Sequence, residues 1–116
     1  MKRRIVPVYG LAVHFTNDVD DARAFVKRRG GKDEAQAFDN VDGISLAFST
    51  AHDERVRIIG VFDGTVATVT HESVHAAWEI LETCGVQVSS DNDEALAFLA
   101  GWFTGQFMRC FPMKVS

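Results

Sequence analysis

The sequence predicts an α+β fold: a small, mostly antiparallel sheet carrying about three helices, with residues 1–116 forming a single domain. Three observations lead there. The patterns run strand, helix, hairpin, helix, helix, an order that stacks helices on a short sheet. Breaks at Gly30-Gly31, Asp42-Gly43, Asp63-Gly64, Gly85 and Pro112 cut the chain at the ends of those patterns. The composition, 47% hydrophobic and 24% charged over 116 residues, supplies one globular core and not two.

Each element has a local reason. Residues 4–15 are rich in Ile, Val, Tyr and Phe and predict a first strand. Asn17 or Asp18 can cap a helix running to about Arg29, with Ala22, Ala24, Phe25 and Val26 on its apolar side, cations in its last turn and Gly30-Gly31 as its stop. Residues 32–43 predict a polar loop ending in the Asp42-Gly43 turn. Residues 44–49 and 55–62 predict two strands of a hairpin. A long helix follows from about Thr65 to Cys84, closed by Gly85, and a last helix runs from about Asp91 to Phe111 before Pro112. These helices are expected on one face of the sheet.

Charge and length exclude some functions. A net charge of −4 leaves no broad basic field for a phosphate backbone, so no nucleic-acid partner is expected. Lys2-Arg3-Arg4 and Lys27-Arg28-Arg29 read as solvated ends of elements. The apolar run after Lys2 to Arg4 imitates a signal peptide, but it is short, Pro7 interrupts it and no small-x-small site follows. The run from Ala95 to Phe111 carries Gln106 and Arg109 and is short for a bilayer, so no membrane partner is expected. Cys84 and Cys110 sit in apolar stretches and read as two buried thiols of a reducing compartment, which makes the expected location cytoplasmic.

The chemistry concentrates in Thr70-His71-Glu72-Ser73-Val74-His75-Ala76-Ala77-Trp78. His71 and His75 stand one helical turn apart on one face, so both imidazoles can reach one ion. Glu72 lies about 100° further round and can reach a water on that ion, as a general base does. The apolar stripe is expected through Val74, Ala77, Ile80, Leu81 and Cys84, which leaves both histidines on a polar groove and Ser73 facing solvent. Two imidazoles hold zinc poorly, because a catalytic site presents three protein ligands and an open position. Glu94, in the first turn of the next helix, is the candidate third ligand, with Asp91 and Asp93 as substitutes. Asp91-x-x-Glu94 also fits a capping box. Ala97, Gly101 and Gly105 repeat every four residues, a ridge that would let the last two helices approach closely or would join two copies in a homodimer through the 91–111 helix.

With these residues the sequence resembles the gluzincin clan of zinc metallopeptidases, which joins His-Glu-x-x-His on one helix to a Glu on a following helix. The 18 residues between His75 and Glu94 are similar to the thermolysin-type spacing, and the length resembles the minimal single-domain members. Short phage and prophage proteins with a His-Glu-x-x-His-Ala segment are also similar. The resemblance covers residues 65–105 by motif. It implies a minimal zincin-like architecture, a Zn2+ cofactor, and hydrolysis of a peptide or protein substrate by metal-activated water with Glu72 as base. It also implies an extended peptide lying along the edge strand beside the active helix, either 44–49 or 55–62. The sequence departs from the clan at Phe98, where thermolysin-type enzymes carry an Asp that orients the first histidine. It also lacks the domain that supplies an oxyanion-stabilising Tyr or His, for which Tyr9, His14 and His52 are the candidates. The alternative is a non-catalytic or single-target regulatory protein built on a zincin scaffold.

Overall fold

The computed structural model describes residues 1–31 and 34–114. Four strands, β1 (Lys2–Ile5), β2 (Ala12–Thr16), β3 (Gly43–Ser49) and β4 (Arg55–Val61), form one sheet in the order β1-β2-β4-β3. Three helices, α1 (Val19–Arg28), α2 (Val66–Thr83) and α3 (Asp93–Cys110), complete the α+β domain. The sheet is mixed. β1–β2 and β3–β4 are antiparallel, whereas β2 and β4 run parallel, with His14 opposite Ile58 and Phe15 opposite Ile59. A parallel pair needs a crossover, and the stretch carrying α1 supplies it.

The expected single first strand is a hairpin. Pro7 cannot donate to a ladder, and Val8 and Gly10 take φ of 72° and 69°, so the chain turns back between β1 and β2. Val6 N–H donates to Leu11 C=O at 2.8 Å and Gly10 N–H to Val6 C=O at 2.9 Å. Within the predicted loop 32–43, a 3-10 turn at Glu34–Phe38 delivers Phe38 to the core, while residues 32 and 33 lie outside the described residues.

The helices pack on both faces of the sheet, not one. Strand side chains alternate. Val13, Phe15, Ile59 and Val61 meet α2 and α3 in one cluster, with Val69, Ala77, Ile80, Leu81, Leu99, Phe103 and Phe107. Val56, Ile58, Phe48 and Phe38 meet Ala22, Phe25 and Val26 of α1 in the other. The sequence masks this division, because β4 carries Val56 and Ile58 on one side and Ile59 and Val61 on the other, and such a strand reads the same whether one layer or two cover it.

The helix ends follow their residues. Asp18 caps α1 by accepting from the Asp20 and Asp21 amides at 2.9 and 3.2 Å. At the other end of α2, Gly85 adopts φ 76°, and Val86 N–H returns to Leu81 C=O at 2.8 Å. Thr65 caps the start of α2. That start is also clamped from the far end of the sequence: Lys114 N–H donates to Gly64 C=O at 2.7 Å, and Val66 N–H donates to Lys114 C=O at 3.1 Å. The short connection 84–92 folds α3 back antiparallel against α2.

Candidate functional site

The buried face of α2 runs through Val69, Ser73, Ala76, Ala77, Ile80 and Leu81. Ser73 is therefore buried rather than solvent-facing, and its Oγ has no hydrogen-bond partner among the described residues. Val74 and Cys84 sit at the exposed rim of the expected stripe. The reason is the 3.6-residue period: once Ala76 and Ile80 face the sheet, Ser73 must share their side.

Opposite that face, His71 and His75 are exposed with ring centroids 4.9 Å apart at 67°. Glu72 lies between them and the sheet, half-buried. Burial raises its carboxyl above the usual glutamate value, against the opposing pull of His71, His75 and the Ser45 backbone amide. A half-desolvated carboxylate beside two imidazoles has the environment of a general base.

Glu72 lies along β3, which is the edge strand; β4 is interior. Asp42 C=O accepts from Phe62 N–H at 2.8 Å, and Thr50 N–H donates to Glu54 C=O at 2.8 Å. Antiparallel pairing alternates, so the even-numbered residues of β3 direct their backbone groups to β4, and Gly43, Ser45, Ala47 and Ser49 direct theirs outward. An open cleft of about 470 Å³ lies between the start of β3 and the first turns of α2, lined by Val41, Asp42, Gly43, Ala67, Thr68, His71 and Glu72. Its lining at Asp42 and Thr68 is absent from the sequence reading. The Asp42-Gly43 pair signals a turn, and nothing local to it indicates that the turn faces α2.

The cleft wall is rigid at the helix start. Asp63 accepts from Thr65 N–H, from the Thr65 hydroxyl at 3.1 Å and from the Thr68 hydroxyl at 2.6 Å. Burial pushes the Asp63 carboxyl up, but these hydrogen bonds outweigh it and hold the group below its usual value. Behind the cleft, buried Arg57 bonds Glu79 through Nε at 2.5 Å, and Thr83 Oγ1 donates to the same carboxylate at 2.6 Å.

The third expected ligand is elsewhere. Glu94 is exposed in the first turn of α3, at the end of the hairpin next to Thr83. His75 lies eight residues before Thr83, which is about 12 Å along the axis at 1.5 Å per residue. Among the described residues, no three His, Cys, Asp or Glu side chains come together as a group able to hold a metal ion. His71 and His75 supply two imidazole donors one turn apart, and among the described residues no third protein donor joins them. Asn92, not Asp91, is the N-cap residue of α3. The ridge of Ala97, Gly101 and Gly105 does not pack on α2: all three are exposed, and a β-carbon at either glycine would meet nothing within 4 Å.

The oxyanion candidates do not reach the cleft. His14 lies on the α1 face of the sheet, its ring 4.8 Å from that of Phe25. Tyr9 belongs to the hairpin at the opposite sheet edge, and His52 is exposed in the β3–β4 turn. Cys84 is exposed and Cys110 half-buried with Arg4 Nη2 3.3 Å from its sulfur, so neither is the buried thiol expected. No helix among the described residues is long and apolar enough to cross a membrane. Compared with known proteins, the chain matches no family model, no curated protein and no solved structure.

Proposed function

We propose that the protein is a zinc-dependent peptidase in which His71 and His75 hold the metal and Glu72 is the general base. The observation that carries this reading is Glu72, half-buried between the histidine pair and the open edge of β3. Zinc, when bound, acidifies water toward a pKa of about 7 and polarises a carbonyl. The chain's own residues do the rest. The outward backbone groups of Gly43 and Ala47 and the Ser45 carbonyl pair with an extended peptide and orient its scissile carbonyl beside α2, the Ser45 amide being held by Glu72. Glu72 takes a proton from the attacking water and returns it to the leaving amine.

The test is Glu72→Gln in the zinc-loaded protein. The variant retains zinc and fold and loses hydrolysis of unstructured peptides by at least about two orders of magnitude. Equal hydrolysis by wild type and variant refutes the role of Glu72.

The separation of Glu94 from His75 favours a second reading, a non-catalytic or single-target regulatory protein on this scaffold. It requires that zinc-loaded wild type leave general peptides uncut while binding one protein. A homodimer through the 91–111 helix belongs to the proposal too, on the exposed ridge beside Phe98, which is 54% exposed. Sedimentation of wild type against Phe98→Glu tests it. The two free thiols are the basis for proposing a reducing, cytoplasmic setting.

A further inference from the structure

We infer that His71 and His75 are half of a metal site that a second copy of the chain completes: two copies meet across a twofold axis on the exposed face of α2 and hold one Zn2+ between four imidazoles. The inference rests on the same assignment of this pair to zinc as the peptidase reading, and it describes a closed form of that site. The donor count is the first observation. Both rings stand on the outward face of α2 with centroids 4.9 Å apart, and no third protein donor joins them among the described residues. Zinc held without an open position takes four ligands in a tetrahedron. Two chains supply that number from the same two residues, and a twofold axis through the ion makes the halves identical.

The surface around the pair is the second observation. Ala67, His71, Val74 and Trp78 are all exposed and follow one another at intervals of four, three and four residues, the spacing of a seam against which another helix packs. Val74 is 39% and Trp78 46% exposed, so the seam is uncovered within the chain. None of its four side chains is formally charged, and α2 contains no Lys or Arg, so two copies can face each other there without like-charge repulsion. Lys114 lies beside Gly64, about two turns before His71, outside the seam. Ala67 begins the seam and Trp78 ends it. An antiparallel crossing centred on the histidines therefore sets the large side chain of each copy toward the small one of the other. Charge balances as well. Four neutral imidazoles leave the ion its two positive charges, and Glu72, half-buried beside its own histidine pair, brings one negative charge from each copy. The seam is short. Four side chains per copy bury less than the roughly 1,000 Å² of a lasting interface, so the contact depends on the metal. With every position taken by imidazole no water sits on the ion, and the paired form is the inactive one.

The experiment follows the tag-free full-length chain, first stripped with a chelator, by sedimentation velocity as zinc is added, with bound zinc measured at each step. Zinc at least doubles the sedimenting mass, in full at one zinc per two chains. Cobalt(II) in place of zinc gives the visible spectrum of a tetrahedral all-nitrogen site, saturating at the same half equivalent. His71→Ala and His75→Ala each abolish the zinc-driven association. Trp78→Glu leaves every ligand in place and raises the protein concentration for half-association by about tenfold, the scale of losing one anchoring aromatic. All three positions are exposed, so circular dichroism of the variants matches wild type. A mass that zinc leaves unchanged, saturation at one zinc per chain, or an association that survives either histidine variant overturns the inference. Peptide hydrolysis by the same samples separates the two claims. Hydrolysis by a zinc-loaded chain whose mass zinc does not change keeps the peptidase and removes the shared site, whereas a half-equivalent zinc complex without hydrolysis at any dilution does the reverse.

Discussion

Gly43 of β3 lies against Glu72 of α2 so closely that a β-carbon on the glycine would fall 3.2 Å from Glu72 Cγ and would clash with Thr68 Cγ2. It would also sit 3.0 Å from the Gly60 carbonyl, which cannot move without breaking the ladder. Glycine here sets the distance between the edge strand and the site helix. Gly43→Ala is expected to destabilise by about 1–3 kcal/mol, the range for overpacking a tight interface, and to shift Glu72 out of position. Urea unfolding measures the first effect. On the proposed peptidase reading, the second is expected as a loss in kcat beyond what the remaining folded fraction explains.

Metal occupancy separates the three expected ligands. If the proposed reading is right, zinc accompanies the wild-type protein through purification without a histidine tag, and His71→Ala and His75→Ala are each expected to lose it. Glu94→Ala is expected to retain it to within about twofold, because a carboxylate about 12 Å along the axis from His75 cannot share its ion. Atomic absorption with equilibrium dialysis reads all three. A sharp loss in Glu94→Ala would show that metal loading draws the first turn of α3 toward the middle of α2.

The Arg57–Glu79 pair should respond asymmetrically. Arg57 is buried, with a side chain 8% exposed, whereas the Glu79 side chain is 26% exposed. Glu79→Ala strands a guanidinium under α2 and is expected to cost about 3 kcal/mol. Arg57→Met leaves a carboxylate that can turn to water and fills the space with apolar atoms, so its cost is expected near 1 kcal/mol. Chemical denaturation of both variants and of the double variant decides the order.

His14 makes stability depend on pH. Burial against α1, followed by the charges of Arg29 and Arg3, holds its pKa below the ordinary 6.5, with Glu54 pulling the other way. The unfolded chain therefore takes up the proton first as pH falls. The contribution is complete above about pH 6.5 and is lost as pH drops through the folded-state value. The urea midpoint is expected to fall between pH 7.5 and 5.5, and His14→Gln to flatten that fall. An unchanged slope in the variant would assign the dependence to other groups.

Much of this arrangement is legible in the sequence. The caps at Asp18, Thr65 and Gly85 act within one turn of their own residues, so local chemistry announces them. The exposure of His71 and His75 follows from helical period alone. What is not legible depends on partners distant in the chain. The β2–β4 pairing joins residues near 14 to residues near 58, and nothing in either segment states that they run parallel. The placement of α1 opposite α2 is hidden because Ile58 and Ile59 are both apolar. Gly101 and Gly105 read as a contact ridge, but the hairpin rotates α3 so that Leu99, Phe103 and Phe107 face inward. That rotation carries Glu94 outward as well. Helix register, rather than residue type, decides whether a third ligand arrives.

The clamp between Lys114 and the start of α2 has a consequence for biogenesis. The helix that bears both histidines is secured at its leading end by a backbone pairing with a residue 49 positions after Thr65. A nascent chain can wind α2 and cap it with Thr65 and Asp63 early, but it lacks this backbone pairing until translation has passed Lys114. A ribosome-bound intermediate or a proteolytic fragment ending before that residue should therefore carry the motif with a frayed first turn, and stalled chains probed by limited proteolysis near Thr65 would become resistant only once Lys114 has left the exit tunnel.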